Sequence, residues 1–562
     1  MNLDSIAGDG LGQRHLNGPQ TTGREYRNLS EPGYQIVQEL DRGIPVRDGT
    51  TLMADVFRPD TDKPVPALLA VSVYPRQIQN SGAPLGFVEA GATDFWVPRG
   101  YAHVIANTRG TGGSGGTYNW LDETERQDMA DLVEWTAAQP WCDGNVGMIG
   151  ISYFAMTQLA AAAERPEHLR AIFPVAATVD VYEAVWHGDL LSETFINAWF
   201  AGVSSMNARN PKDFRSWPVK EISKVLLLPR VHRHFQDLNG ESAVNLLKKV
   251  MKSELTQPWL DLLTQMTDAH QTKDDWWRER DMEPLLKGST LPAYIGCDWE
   301  NVPLHLPSTF RLWHTLSPTA PIRMGMLGAG GLTWPWESLH VEALAWFDHW
   351  LKGRDTGIME GPPIRYFMPG TDEFFTAEQW PPADTEGRHW HLSSGGELAS
   401  AGQGHQTFFH RGRNIEQQAP DLPDMLVYET DPLSEDLDFV GTPRVTLRAS
   451  ITAPECSWIV TLQDVDPDGG AVDVTAGWHR SNRVGAGDLE VSEIDLVPNA
   501  RRFLKGHRVR LVIASDDTSD GHPAIMGFRH RSTGDPSINV VDAASTLELP
   551  CLGAAHSSLP RG

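Results

Sequence analysis

The feature that most constrains this chain is a short apolar strand that turns into a helix through a glycine and a serine. The stretch reads VGMIGISYFAM at residues 146–156, with Gly150 and Ser152 at the turn. A strained turn of this kind lifts a serine hydroxyl to the top of a parallel sheet, where the free N–H groups of the helix favour a negative charge. Phe154 stands where the G-x-S-x-G pattern has its second glycine. The stretch predicts a nucleophile at Ser152, and an ordinary strand-to-helix junction is the alternative.

Apolar runs on either side of this turn predict the rest of a parallel sheet. The near-continuous runs at 66–74 and 102–107 are typical of strands that are buried on both faces. Residues 122–138 repeat apolar side chains with a helical period, and the chain predicts further strands at 171–176, 291–296 and 322–327 and a helix at 339–351. Strands that alternate with helices predict the doubly wound α/β sheet of the α/β-hydrolase class.

The pattern changes along the chain and predicts five segments. A flexible, polar leader at 1–33 precedes an α/β core at 34–179, which opens with a hairpin around the turn at 46–50. Strand-like alternation disappears over 180–288, which predicts a helical cap that acts as a lid or, alternatively, a helical domain without a catalytic part. The α/β core resumes at 289–364. Short alternating strands over 365–562 predict an all-β domain, a sandwich of jelly-roll type.

Charge and motif spacing exclude several classes of function. The net charge is −26, from 73 acidic and 47 basic residues, and no segment supplies the basic surface that a nucleic acid requires. The glycine-rich run at 109–116 lacks the lysine of a phosphate loop. The histidines lack the spacing of a metal site, and so do the cysteines, which are Cys142, Cys297, Cys456 and Cys551. We therefore expect no cofactor, no metal and no nucleic-acid partner.

The N-terminal residues and the apolar runs bear on localisation. The first residues are polar and glycine-rich, without the basic and apolar regions of a signal peptide. No apolar run approaches the roughly 18 residues that a membrane span requires. We expect a cytoplasmic protein with no membrane partner, and the sequence leaves a homo-oligomer open.

Several motifs together resemble those of the CocE/NonD hydrolases. Besides the turn at Ser152, they are RGTGGSGG at 109–116, QPW at 139–141, WFDHWLKG at 346–353 and KGHRVRL at 505–511. That family contains cocaine esterase, α-amino-acid ester hydrolases, glutaryl acylases and X-prolyl dipeptidyl peptidases. The likeness covers most of the chain and implies an α/β-hydrolase core with a C-terminal jelly roll.

The resemblance also implies roles for three residues. It makes Ser152 the nucleophile, the backbone N–H of Tyr153 one oxyanion donor and the Tyr74 hydroxyl the other. Tyr74 closes an apolar strand just before Pro75, so its phenol is expected at the same sheet edge as the turn. The alternative for Tyr74 is a tyrosine that is buried in the core.

The acid of the triad departs from the family pattern. Relatives end a strand in Gly-Trp-x-Asp, whereas this chain reads GCDWEN at 296–301, which puts Asn301 at the acid position. Asp298 and Glu300 are close enough in sequence to replace it, and an asparagine can also orient a histidine. We favour Glu300, and charge on a surface loop is the alternative for either carboxylate.

The histidine of the triad departs further. Relatives carry it in Gly-Pro-Trp-x-His after the strand that corresponds to 322–327, but residues 328–334 read GAGGLTW. His340 is the nearest substitute, because it stands near the start of the following helix and its unperturbed pKa suits a base. A histidine on the helix surface or in the core is the alternative. His349 is expected to pack structurally, and His305 follows the acid loop.

These features predict a serine hydrolase or acyltransferase that forms an acyl-enzyme on Ser152 from a small ester or amide. The 20 tryptophans and 19 phenylalanines make an apolar acyl group plausible. Two alternatives stay open because the family histidine and aspartate are not kept. One is a non-hydrolytic elimination or cyclisation that uses Tyr74 and a carboxylate as acid and base. The other is a binding protein with a decayed site.

Overall fold

The computed structural model of the protein describes residues 16, 18–80, 88–208, 257–328, 338–371, 373–412, 420–482, 489–517 and 529–553. In the part of the chain before residue 380, the strands are β1 Ile36–Pro45, β2 Thr51–Pro59, β3 Val65–Ser72, β4 Ala102–Asn107, β5 Cys142–Met148, β6 Leu169–Ile172, β7 Trp186–His187, β8 Leu190–Leu191, β9 Ala293–Asp298, β10 Ile322–Leu327, β11 Ile364–Phe367 and β12 Phe374–Ala377. The α-helices are α1 Arg76–Gln79, α2 Thr93–Trp96, α3 Glu123–Ala137, α4 Tyr153–Glu164, α5 Val181–Val185, α6 Glu193–Asn207, α7 Trp259–Thr264, α8 Asp275–Arg278, α9 Glu283–Leu286, α10 Leu306–Leu316 and α11 His340–Lys352.

Ten of these strands form one sheet, in the order β1-β2-β4-β3-β5-β6-β9-β10-β11-β12. The pairs from β4 through β11 are parallel, whereas β1, β2 and β12 add antiparallel edges. Nearly every residue of β3 and every residue of β4 is buried, because helices cover both faces of the sheet. This arrangement explains the near-continuous apolar runs and confirms the doubly wound α/β-hydrolase core.

The carboxyl ends of the parallel strands meet at one edge of the sheet. Tyr74 follows β3, Ser152 follows β5, and Asp298 ends β9. Ligands bind at this edge in open α/β sheets, because the strand ends and the loops that leave them form a crevice there. The topology therefore gathers three of the predicted site residues at one edge.

Helices and a short hairpin lie between β6 and β9, over this edge. The hairpin consists of β7 and β8, so the expectation that strands are absent from 180–288 is wrong at these four residues. Helices α5 to α9, a π-helix at Gln265–Ala269 and the turns between them make up the rest of the described cap. Residues 209–256 of the predicted helical cap lie outside the described residues.

The C-terminal part of the chain is a β-sandwich. Its strands are β13 Thr385–Leu392, β14 Leu398–Ala399, β15 His405–His410, β16 Met425–Glu429, β17 Leu437–Gly441, β18 Arg444–Ile451, β19 Glu455–Val465, β20 Ala471–Asn482, β21 Glu490–Asp495, β22 Asn499–Phe503, β23 Arg508–Ala514, β24 Ser537–Asp542 and β25 Thr546–Leu552. A nine-stranded sheet faces a four-stranded sheet of order β16-β23-β19-β20. Apolar side chains from both sheets, such as Leu447, Trp458 and Leu511, form a separate buried core. The predicted all-β domain is confirmed, but its predicted start at 365 is wrong, because β11 pairs with β10, and β12 with β11, at the edge of the α/β sheet.

The described ranges contain no helix that is long and apolar enough to cross a membrane.

Candidate active site

The turn between β5 and α4 holds Ser152 in a strained conformation. Its backbone has φ 56° and ψ −120°, outside the regions that side chains favour, and it directly precedes the first residue of α4. Its N–H donates to the carbonyl of Val175 at 3.4 Å, and its carbonyl accepts the N–H of Met156 at 3.0 Å. Ser152 is partly exposed although its neighbours are buried. The geometry presents the hydroxyl at the helix N-terminus, as a nucleophile turn requires.

Gly150 and Phe154 explain how the turn forms with a phenylalanine at the second glycine position. Gly150 has φ 122°, and a Cβ atom there would lie 2.4 Å from Cβ of Phe154. Phe154 is fully buried and packs over the space that Gly150 leaves open. A single glycine therefore suffices for this turn, because the close approach occurs on one side of the serine.

We expect Gly150→Ala to lower the free energy of unfolding by roughly 2–5 kcal/mol, since backbone strain and overpacking add together. Gly469→Ala is the matched control, because Gly469 has φ 91° but a methyl group there would meet nothing within 4 Å. The control carries the backbone strain without the contact with Phe154. Urea denaturation followed by tryptophan fluorescence measures both. If both variants lost the same free energy of unfolding, the contact with Phe154 would not contribute to the effect.

Tyr74 lies beside Ser152 and is held by a residue of the cap. The Ser152 hydroxyl and the Tyr74 hydroxyl form a hydrogen bond. Trp199 of α6 donates its indole N–H to the Tyr74 oxygen at 3.0 Å. Burial, and to a smaller extent the charge of Glu89, raise the pKa of Tyr74 well above its ordinary value. Tyr74 is therefore a neutral phenol, and because Trp199 is a donor only, the phenol proton points toward some other acceptor, such as a reacting oxygen.

Aromatic side chains from the core and the cap pack together next to this pair. Tyr153 stacks on Trp199 with ring centroids 6.1 Å apart, and Trp120 also stacks on Trp199, at 4.8 Å. Tyr118 stacks on Trp259 of α7 at 4.8 Å. All five side chains are buried. The cap is thus joined to the nucleophile turn through an apolar, aromatic wall.

The acid loop lies at the same sheet edge. Asp298 ends β9 and is buried, and its carboxylate accepts a hydrogen bond from the Asn301 amide at 2.6 Å. The Asn301 carbonyl accepts the N–H groups of His305 and Leu306 at 3.2 Å each. The structure brings Asp298 and Asn301 together, and Glu300 is half-buried. Which of the three acts as the triad acid stays a prediction.

His340 is fully buried at the first position of α11. Its Nε2 accepts the N–H of Ala92 at 3.0 Å, and its ring contacts Phe95 and Trp96. A nitrogen that accepts an amide N–H has its lone pair occupied, so this nitrogen does not take a proton from Ser152 in this arrangement. The catalytic role expected for His340 stays a prediction. Of the preceding loop, residues 329–337 lie outside the described part of the chain.

The other two histidines are structural in their contacts. His305 is buried and its Nδ1 pairs with the Thr178 hydroxyl at 2.9 Å. Burial lowers the pKa of His305 to about 3, so it is neutral at physiological pH. His349 lies near the end of α11, where its Nδ1 donates to the Arg354 carbonyl at 3.2 Å.

Two residues near Ser152 escape the sequence reasoning. Trp199 carries no signal of its own, because it is one of many aromatic residues in an apolar helix. Glu89 is 8 % exposed, and burial raises its pKa well above the ordinary value. It stands in the apolar stretch FVEAGA at 87–92, and a carboxylate within such a stretch is the signal that could have identified it.

Comparisons with known proteins agree with this architecture. Residues 48–331 match the family model described as X-Pro dipeptidyl-peptidase (S15 family). Residues 356–524 match the model of the X-Pro dipeptidyl-peptidase C-terminal non-catalytic domain. Cocaine esterase from Rhodococcus sp. is 27% identical over 534 residues, which cover 84% of this chain and 90% of that protein. A putative Xaa-Pro dipeptidyl-peptidase from Bacillus anthracis is 22% identical, over 87% of this chain and 85% of that protein.

Solved structures share the fold at low sequence identity. A CocE/NonD family hydrolase from Staphylococcus aureus superimposes with a TM-score of 0.72 and 18% identity, over 96% of this chain and 100% of that chain. An α-amino acid ester hydrolase superimposes with a TM-score of 0.67 and 17% identity, over 95% and 99% of the two chains. These likenesses extend through core, cap and sandwich together.

Proposed function

We propose, since the chain belongs to the X-Pro dipeptidyl-peptidase (S15) family of CocE/NonD hydrolases, that it cleaves a small ester or amide with an apolar acyl group through an acyl-enzyme on Ser152. Family membership makes the protein a hydrolase of the serine esterase and peptidase type. The substrate class and the covalent intermediate are the proposed part.

The observation that carries the proposal is the strained Ser152 paired with a neutral Tyr74. A strained serine at a helix N-terminus is presented for attack on a carbonyl carbon. The Tyr74 phenol and the Tyr153 N–H then donate to the carbonyl oxygen as it becomes negative. A preorganised pair of donors stabilises this charge without the reorganisation that water would need.

The aromatic wall supports an apolar acyl group. Tyr153, Trp199 and Trp120 bury their rings next to the nucleophile. An acyl group that packs against this wall is removed from water. This burial contributes about 25 cal/mol of binding free energy for each Å² of apolar surface.

Labelling with a fluorophosphonate tests the proposal. This reagent is expected to form a phosphonate ester on Ser152 of the parent protein, which peptide mass mapping locates, because only an activated serine reacts rapidly. Aryl acetates and propionates should show a burst of phenol that is equal to the number of active sites. A lack of both labelling and burst would overturn the proposal, and a product formed without addition of water would favour elimination instead.

A further inference from the structure

Trp120 stands in a strained turn that leads into α3. Trp120 has φ 49° and Leu121 has φ 59°, so two consecutive residues with side chains lie in the left-handed region. Such residues rarely adopt this conformation, and structures retain it mostly where the surroundings enforce it at a functional position. Both side chains are buried, and only 3 % of Trp120 is exposed. The strain therefore needs a cause in the neighbouring residues.

Glu125 holds this turn from the first part of α3. Its two carboxyl oxygens accept the N–H groups of Asn119 and Leu121, the residues on either side of the tryptophan. Arg280, which follows α8, donates to the Asn119 carbonyl at 3.3 Å. Glu125 and Arg280 are both buried almost completely. The backbone is thus fixed on both sides of the tryptophan, and these contacts enforce the strained conformation.

The strained turn places the Trp120 ring in the aromatic wall. The ring stacks on Trp199, with centroids 4.8 Å apart and planes 23° apart, and it also packs against Phe200 at 5.6 Å. Trp199 in turn donates to the Tyr74 hydroxyl at 3.0 Å, and that hydroxyl forms a hydrogen bond with Ser152. A single ring therefore separates Trp120 from the proposed oxyanion donor.

The indole N–H of Trp120 is a buried donor without an acceptor. Its Nε1 has no hydrogen-bond partner among the residues that the structure describes. An indole nitrogen is a donor only, so nothing but an acceptor can satisfy it. A donor that has lost its water without replacement is unfavourable, and native proteins retain few such groups. This observation is independent of the backbone strain and concerns the same residue.

Two phenols of the wall leave a second proton without an acceptor. The hydroxyls of Tyr118 and Tyr153 interact with each other, and neither has a further partner in the described part of the chain. A pair of hydroxyls satisfies only one of its two protons. The wall beside the nucleophile therefore has a surplus of hydrogen-bond donors in apolar surroundings.

From these observations we infer that Trp120 is a specificity-determining residue, which donates its indole N–H to an uncharged acceptor oxygen in the acyl part of the substrate. The inference deepens the proposed hydrolase function and rests on it. An ether or carbonyl oxygen supplies the bond that the buried N–H lacks, whereas a methylene group in the same place leaves the N–H unpaired. An ionised group would lose its water among aromatic rings, so the acceptor is expected to be uncharged. Glu125 acts as a positioning residue, because it holds the turn that carries Trp120.

Matched pairs of p-nitrophenyl esters test the inference in the full-length protein. Methoxyacetate, 3-methoxypropionate and 4-methoxybutyrate have the same lengths as butyrate, pentanoate and hexanoate, with one methylene group replaced by oxygen. The acceptor preference is the ratio of kcat/KM for the oxygen-containing ester to kcat/KM for its alkyl partner. Because each pair is measured in both parent and variant, the difference in intrinsic reactivity between the two esters cancels.

Trp120→Phe should lower the acceptor preference by about tenfold in at least one pair, because phenylalanine keeps an apolar ring and lacks the N–H. Glu125→Gln should lower it in the same direction, since an amide cannot accept both backbone N–H groups. A general loss of folded structure would reduce the rates of both esters and leave their ratio unchanged. Glu125→Gln carries the test if Trp120→Phe fails to fold.

Trp186→Phe is the matched control. Trp186 is a buried tryptophan of the cap, and its indole N–H already donates to the Met266 carbonyl at 3.1 Å. Its replacement should leave the acceptor preference unchanged. It should also cost more thermal stability than Trp120→Phe, because it leaves a carbonyl unpaired, whereas Trp120→Phe removes a donor that is already unpaired. Calorimetry of the proteins without substrate measures this difference and shows whether each variant is folded.

Three outcomes would overturn the inference. One is a Trp120→Phe variant that keeps the acceptor preference of the parent in every pair. Another is an equal loss of preference in Trp186→Phe, which would make the preference a property of the whole cap. The third is a loss of stability in Trp120→Phe as large as that in Trp186→Phe, which would mean that the N–H is already paired in the free protein.

The same measurements separate a failure of the inference from a failure of the proposed function. If the parent hydrolyses none of the six esters and is not labelled by a fluorophosphonate, the proposed hydrolase function has failed. If the parent hydrolyses the esters and Trp120→Phe leaves every ratio unchanged, the hydrolase function stands and the role of Trp120 alone is overturned.

Discussion

Replacing Ser152 with alanine is expected to lower kcat/KM for aryl esters by about 10⁴-fold or more. The hydroxyl is the only part of the proposed reaction that forms a covalent bond with the acyl group, so its removal leaves only binding and the oxyanion donors. Stopped-flow measurement of phenol release should show that the burst disappears together with the steady-state rate.

Ser317→Ala is a matched control for this change. Ser317 is also a partly exposed serine, but it lies just after the last residue of α10, away from the sheet edge that holds Ser152. We expect its kinetics to equal those of the parent. A Ser152→Ala variant that keeps more than about a tenth of the parent rate would assign the chemistry to another group, since triad serines contribute far more than this.

The sequence predicted the core of the fold well because its signals are local. The runs at 102–107 and 322–327 coincide with β4 and β10, and the helix predicted at 339–351 differs from α11 by one residue at each end. Strands that are buried on both faces must be apolar throughout, which makes them visible without knowledge of their partners. The β7–β8 hairpin was missed, because two-residue strands leave no alternation to detect.

Some features of the candidate site could likewise be predicted from local signals in the sequence, and others could not. The strained serine could be predicted, because glycine, serine and the following helix are adjacent in the sequence. Tyr74 was expected at the same edge from the end of its strand together with the family resemblance. The hydrogen bond from Trp199 joins residues that lie 125 positions apart, in the cap and in the core. No local pattern encodes such a contact.

The surroundings of His340 and Glu89 also depend on contacts between residues that are far apart in the sequence. His340 was expected from its distance to the family position, yet its Nε2 is engaged with the Ala92 backbone. Glu89 lies next to the turn because Gln79 and Ile151 hold its backbone there. The carboxylate is visible in the sequence as a lone charge in an apolar stretch, but the groups that surround it after folding are not.

Replacing Tyr74 with phenylalanine is expected to lower kcat by about 10²–10³-fold, which is the usual effect of removing one oxyanion donor. The donor acts on a charge that develops only in the transition state, so KM should change little. Steady-state kinetics with p-nitrophenyl acetate, and the rate of fluorophosphonate labelling, should fall together.

Loss of the hydroxyl also leaves the Trp199 indole N–H without its acceptor in a buried position, which costs about 1–3 kcal/mol of stability. The double variant Tyr74→Phe with Trp199→Phe removes both partners and should regain most of this stability. Its kcat should remain as low as that of Tyr74→Phe, because the missing group is the phenol proton.

Trp199→Phe alone keeps that proton and is expected to lose only about tenfold in kcat, the effect of a donor that orients another group. Recovery of kcat together with stability in the double variant would show that Tyr74 supports the fold rather than the reaction.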